Sequence, residues 1–148
     1  MKSIHYPSLK IMNPPFHIST DKNLLDINLI ESFLSNRSHW AKGRSRQTIE
    51  RSIENSLCFG IYDGGNKQVG FARVVSDFAV FAWLMDVFIV EECRGKGLGK
   101  QLIASIMSHE KLQEIKRWGL ATKDAHGLYE QYGFKSLSAP ERMMEFIK

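Results

Sequence analysis

Three glycines within five residues, in Arg94-Gly95-Lys96-Gly97-Leu98-Gly99, constrain this chain more than any other segment. The stretch before them, Ala79 to Val90, is apolar and aromatic and is interrupted only by Asp86. After them Leu102, Ile103, Ile106 and Met107 recur at helical spacing. The pattern predicts a buried strand that turns sharply into an amphipathic helix, which is an α/β arrangement. Glycine permits the tight turn. The first amides of the helix have no acceptor within it and carry the positive end of its dipole, so such a turn binds phosphate or pyrophosphate. Arg94, Lys96 and Lys100 add positive charge beside it. A plain structural turn is the alternative reading of the glycines alone.

Two familiar phosphate loops do not fit. A P-loop needs Gly, four residues and then Gly-Lys-Ser/Thr, whereas Gln101 follows Lys100 here. The dinucleotide fingerprint Gly-x-Gly-x-x-Gly fails because Lys100 takes the place of its third glycine.

The rest of the chain gives a coarse outline. Pro14-Pro15 blocks regular structure in an N-terminal arm that runs to about Thr20. Asp26 is placed to cap a helix carrying Ile27, Ile30, Phe33 and Leu34 and reaching about Asn36. Ser45 is placed to cap a second, with Ile49, Ile53 and Leu57 on one stripe. Leu57 to Tyr62 and Gln68 to Ser76 read as strands joined by Asp63-Gly64-Gly65-Asn66. Ala79 to Val90 reads as a strand buried on both faces. Arg117 to Thr122 is a further short strand, and Asp124 to Tyr132 a helix closed by Gly133. Ser136–Leu137 and Met143–Ile147 are expected to form a last hairpin. The 148 residues are enough for one domain with its own core.

Two motifs carry a family resemblance. Arg94-x-x-Gly97-x-Gly99 after a strand resembles the acetyl-CoA motif of the GNAT N-acetyltransferase superfamily, Arg/Gln-x-x-Gly-x-Gly/Ala. About 35 residues further on, Leu128-Tyr129-Glu130-Gln131-Tyr132-Gly133-Phe134 is similar to that superfamily's second hallmark, a helix with Tyr four residues before Gly-Phe. The resemblance runs from about Leu57 to Phe134.

The resemblance implies a mixed, mostly antiparallel sheet flanked by helices, whose central strand pair splays to form an acetyl-CoA cleft. It implies that Val87, Phe88 and Ile89 pair with the pantetheine arm through their backbone. It further implies that the pyrophosphate rests at Arg94 and on the amides of Gly95, Lys96, Gly97, Leu98, Gly99 and Lys100. The co-substrate is then acetyl-CoA, the partner an amine acceptor, and the chemistry acyl transfer from a thioester to an amine, with no metal. Tyr129 matches the family's usual acid beside the coenzyme sulfur, and Tyr132 reads as packing. An alkylammonium, with pKa about 10.4, must also lose a proton before it attacks. Asp86, a lone carboxylate in an apolar strand, is the first candidate for base or amine recognition; a structural hydrogen-bonding role is the alternative. Asp77 is a second candidate base and equally a turn residue. Thr122 replaces the Asn that many members carry seven residues before the Tyr. His126 is open to three readings, lining the cleft, shuttling a proton or simply facing solvent, of which the last is the commoner for a single His in a polar helix turn.

The family's acceptor wall is usually built by the first two helices and their loop, which here holds Arg37, His39, Trp40, Lys42, Arg44 and Arg46. Phe71, Arg73 and Trp83 lie on strands near the cleft. Twenty Lys and Arg against 16 Asp and Glu give a net +4, which favours anionic partners. Nucleic acid is disfavoured, because only the Arg37–Arg46 loop combines clustered cations with aromatics. Cys58 and Cys93 fall in no zinc-site spacing, and two thiols without a secretion signal fit the reducing cytosol. The longest unbroken apolar run, Phe78 to Met85, is too short for a membrane span, which needs roughly 18–20 residues. Cys93 lies in the turn with no partner His, so direct transfer in a ternary complex is expected rather than an acyl-cysteine. A coenzyme-binding regulatory module without turnover is the alternative function. A homodimer using the apolar C-terminal residues is also open.

Overall fold

The computed structural model describes residues 15–148. Its elements are β1 (His17–Ser19), α1 (Ile27–Ser32), α2 (Arg46–Glu54), β2 (Leu57–Tyr62), β3 (Gln68–Ser76), β4 (Phe81–Ile89), α3 (Leu98–Met107), β5 (Arg117–Leu120) and α4 (His126–Glu130). The five strands form one sheet in sequence order. Each pair is antiparallel except β4 and β5, which run parallel and are joined through α3. This is the mixed, mostly antiparallel sheet flanked by helices expected from the sequence.

Local chemistry sets the boundaries. The Asp26 and Ser45 side chains cap α1 and α2 by accepting from the Leu29 and Thr48 amides. Asp63 closes the β2–β3 hairpin by accepting from the Gly65 and Lys67 amides. The first helix does not run regularly to Asn36. It widens after Ser32 into one π turn, Phe33–Arg37, in which the Ser38 amide donates to the Phe33 carbonyl. The Ser38 hydroxyl in turn donates to the Leu34 carbonyl and accepts from the Ala41 amide. A polar side chain thus intrudes on the helical ladder and turns the chain outward.

β3 is the strand buried throughout most of its length, whereas β4 alternates buried and half-buried residues. The sequence pointed to β4 as the two-sided strand. Its second face is apolar because it lines a cleft. Phe59, Phe71, Ile30, Ile49, Leu102, Ile103 and Ile106 are fully buried on the two sides of the sheet.

Two other expectations are corrected. The arm to Thr20 is irregular only in part, because His17–Ser19 pairs with Gly60–Tyr62 as an edge strand; the remainder of that expectation, residues 1–14, lies outside the described residues. The last hairpin does not form. No strand follows β5 among the described residues, and a single turn at Pro140–Arg142 leads into a tail without regular secondary structure. Alternating apolar residues give a segment strand character but do not supply a neighbour to pair with.

Among the described residues, no helix is long and apolar enough to cross a membrane.

Candidate active site

The site begins where two strands part. β4 and β5 pair from Phe81/Arg117 to Leu84/Leu120, and β4 then continues alone on that side to Ile89. On its other side β4 carries a bulge. Phe71 faces Phe88 and Arg73 faces Met85, so Ala72 stands opposite both Asp86 and Val87. Asp86 holds a left-handed φ of 54° there, rare for a residue with a side chain. Val87, Phe88 and Ile89 line a cavity of about 590 Å³ that ends at Arg94, Gly95, Gly97, Leu98 and Gly99. Phe88 is anchored by stacking on Phe33, with ring centroids 4.0 Å apart.

The glycine turn has the geometry its sequence requires. Gly95 and Gly97 sit at φ of 80° and 77°, where any other residue is strained. A methyl group at either position would meet nothing within 4 Å, so conformation and not packing demands glycine. Gly97 is the N-cap of α3 and gets no help from a side chain. The first intrahelical bond is Gln101 to Gly97, which leaves the Leu98, Gly99 and Lys100 amides without a helical acceptor. The exposed Arg94 and Lys96 flank the turn, and Arg94 Nε donates to the Ile89 carbonyl at 3.1 Å. These donors, on a ten-residue helix, suit a pyrophosphate. Cys93 also lines this cavity.

Asp86 lies on the wall of the space between the parted strands, with its carboxylate engaged by its own chain. Its side chain is 1% exposed. Its Oδ2 accepts from Arg73 Nε at 2.6 Å and from Arg44 Nη1 at 2.8 Å, and its Oδ1 from Trp40 Nε1 at 2.9 Å. One buried carboxylate therefore ties β3 and the α1–α2 loop to the bulge. Two guanidiniums against one carboxylate leave this cluster with a net positive charge. The loop is also held by Arg37, paired with Glu91 at 2.9 Å. Trp40 and Arg44 thereby become the wall of a second cavity of about 460 Å³, between the parted strands, with Trp83, Met85, Leu120 and Lys123.

Tyr129 stands on α4 where these cavities meet, and it lines both of them together with a third, beside β5. It is 7% exposed. Burial, with a smaller contribution from the Asp124 charge, pushes its phenol up to about 12. Its hydroxyl has no hydrogen-bond partner among the described residues. Tyr132, three residues on, donates instead to the Lys100 carbonyl at 2.8 Å and locks α4 onto α3. Thr122 Oγ1 accepts from the Ala125 amide and shapes the turn into α4. Asp77 accepts from the Ala79, Val80 and Phe81 amides, so it is the β3–β4 turn residue. His126 is exposed and lines only the third of these cavities. Asp124, which drew no attention in the sequence, lines both of the first two. No group of three or more metal-ligating side chains gathers among the described residues.

Residues 54–136 match the acetyltransferase (GNAT) domain, and the chain belongs to that family. It is similar to a protein of Xanthomonas campestris pv. campestris, assigned as a GNAT-family acetyltransferase and known from a crystal structure. The two share 47% identity and a TM-score of 0.88 over 91% of this chain and 94% of that one. It is also similar to the uncharacterised N-acetyltransferase ycf52 of Pyropia yezoensis, 32% identical over 131 residues, or 84% of this chain and 73% of the relative. A protein of Gibberella zeae assigned as an acetyltransferase is 28% identical over 76% of this chain and 74% of its own.

Two predictions come from the buried groups. Asp86→Asn removes the charge that holds a buried guanidinium and lowers unfolding stability by about 3–5 kcal/mol in urea titrations. A carboxylate serving only as an exposed base costs activity without stability. The second concerns alkaline pH. Folding holds the Tyr129 proton to about 12, while the unfolded chain releases it near 10.0. Its stabilisation is therefore complete below pH 10 and is lost as pH rises through about 12. The urea midpoint falls over that range, and less steeply in Tyr129→Phe.

Proposed function

We propose that this chain is an N-acetyltransferase that moves an acetyl group from acetyl-CoA to a primary amine by direct attack in a ternary complex. One observation carries the reading: the unpartnered Tyr129 phenol lies where the cavity from the glycine turn meets the cavity between β4 and β5. Acetyl-CoA, which the family generally uses, supplies an acetyl thioester. The residues present fit it. The Gly95–Lys100 amides are placed to hold its pyrophosphate, and the edge of β4 from Val87 to Ile89, unpaired with β5, is placed to align an extended arm.

The acceptor enters between Trp40, Trp83 and Tyr129. Its nitrogen forms the new bond to the acetyl carbon as the carbon–sulfur bond breaks. The raised phenol keeps its proton at neutral pH, so Tyr129 Oη presents a donor to the departing sulfur. The proton shed by the newly acylated nitrogen restores the phenol through water. The ammonium form of the acceptor must lose its own proton first. Asp86 has both oxygens engaged, so we assign it to positioning: it holds Trp40 and Arg44 at the acceptor wall. Asp124, exposed on the rim of both cavities, is the carboxylate we place at the acceptor nitrogen.

Calorimetry with acetyl-CoA and thiol release with a panel of amines test the reading. Saturable one-site binding and turnover of an amine support it, and folded protein that binds no acetyl-CoA overturns it. Tyr129→Phe lowers kcat about 10²–10³-fold and leaves acetyl-CoA affinity unchanged; an unchanged kcat removes the acid role. Asp124→Asn raises the acceptor KM at neutral pH, and the difference shrinks as pH approaches the amine's own pKa. A KM unaltered across pH removes Asp124 from the acceptor site.

A further inference from the structure

We propose that the cavity between the parted strands selects acceptors that carry an anionic group, a carboxylate or a phosphate, as well as the amine, and that Arg44 is the residue that reads it. The inference rests on the acetyltransferase reading and names the substrate class of that same site.

The charge balance of the cavity wall is the first observation. Arg44 and Arg73 both donate to Asp86 Oδ2, so one buried carboxylate faces two guanidiniums. Arg73 is the deeper of the two and stands behind the wall, its side chain 9% exposed. Arg44 stands in the wall itself, its side chain 20% exposed. It spends one N–H on Asp86, and its other N–H groups meet no acceptor among the described residues. A guanidinium fixed by a buried partner, with its charge left over, is a ready site for an anion, because its fork matches two oxygens of a carboxylate or phosphate. Lys123 lines the same cavity and adds a second positive charge. Asp124 lines it too, so the cavity offers one charge for an ammonium and others for an anion. Arg44 does not line the cavity that ends at the glycine turn, which separates it from the place proposed for the pyrophosphate.

The aromatic walls point to what joins the two charges. Trp40 gives its indole N–H to Asp86 Oδ1 and remains 42% exposed, so the surface it offers is ring and not donor. Trp83 lies across Gly119 of β5, where a methyl group would overlap its ring, so the bare backbone of that strand makes room for the indole. Two indoles set in place around a cavity of about 460 Å³ suit a small molecule with a flat or apolar body. Discrimination then follows from desolvation. A neutral amine that fills the cavity strips water from the Arg44 N–H groups and returns nothing. An anionic amine replaces that water with charged hydrogen bonds.

Matched amines test this on the unaltered chain. Thiol release from acetyl-CoA is followed with phenethylamine against phenylalanine, phenethylamine against para-aminoethylbenzoate, and tyramine against tyramine phosphate. Calorimetry of the same amines, with and without CoA, reads their binding apart from turnover. The expected result is a kcat/KM and an affinity about 10- to 100-fold higher for the anionic member of at least one pair. The pair that shows it tells carboxylate from phosphate. No preference in any pair, by rate or by binding, overturns the proposal. Arg44→Gln is expected to bring the ratio within that pair toward unity, and Arg44→Lys to keep part of it. A loss shared equally by both members, with the ratio intact in a variant that circular dichroism shows to be folded, means that Arg44 only shapes the wall and overturns its assignment. Acetyl-CoA calorimetry separates the two readings. Protein that binds acetyl-CoA and turns over neutral amines as well as anionic ones sinks the anion site alone. Protein that prefers an anionic amine but binds no acetyl-CoA sinks the acetyltransferase reading alone.

Discussion

Burial of the Asp86 carboxylate organises much of this molecule. A charge removed from water must be met by other charges and donors, and here three side chains meet it. Arg73 comes from the strand beside it. Trp40 and Arg44 come from the loop between the first two helices, which no sheet pairing would hold in place. The left-handed bulge of β4 aims the carboxylate toward all three. One ionic cluster therefore fixes the path of β4 into the cavity that ends at the glycine turn and the wall of the cavity next to it.

The sheet supplies the rest by failing to stay paired. Parallel pairing of β4 with β5 stops at Leu84 and Leu120, and the strands separate around a gap that neither fills. The glycine turn lies at the far end of β4, so one strand leads from the parted pair to the N-terminus of α3. α4 crosses the gap and delivers Tyr129 into it. Burial raises the Tyr129 phenol, and the opening of the cavities leaves its hydroxyl unclaimed by protein groups. Those two properties support the proton-donor role we propose for it, whereas Tyr132 on the same helix spends its hydroxyl on a carbonyl and becomes a fastener.

Much of the candidate site's local geometry was legible before the fold. The glycine spacing gave a helix-capping turn, because only glycine takes φ near 80° without strain. The apolar run gave the strand ahead of it, and the Tyr-x-x-x-Gly-Phe pattern gave α4. The roles around Asp86 were not legible. Its partners Trp40 and Arg44 lie 46 and 42 residues away, and no local pattern ties a loop tryptophan to a strand carboxylate. Asp124 was missed for a related reason. As a polar residue before a helix it is ordinary, and only the meeting of two cavities beside it gives it meaning. The expected last hairpin shows the converse. Residues 143–147 have strand composition, but a strand also needs a neighbour, and among the described residues they pair with none.

The sequence by itself determined the local elements: which segments coil or extend, where caps and turns fall, and that a glycine turn leads from a strand into a helix. Those depend on interactions within a few residues, and spacing along the chain records them. The tertiary structure alone decided which face of β4 is lined and which is covered, and where its pairing with β5 ends. It also decided that Asp86, on the wall of the second cavity, spends both carboxylate oxygens on its own chain. These outcomes depend on strand register and on charges meeting across tens of residues, and a shift of register by one residue would reverse them.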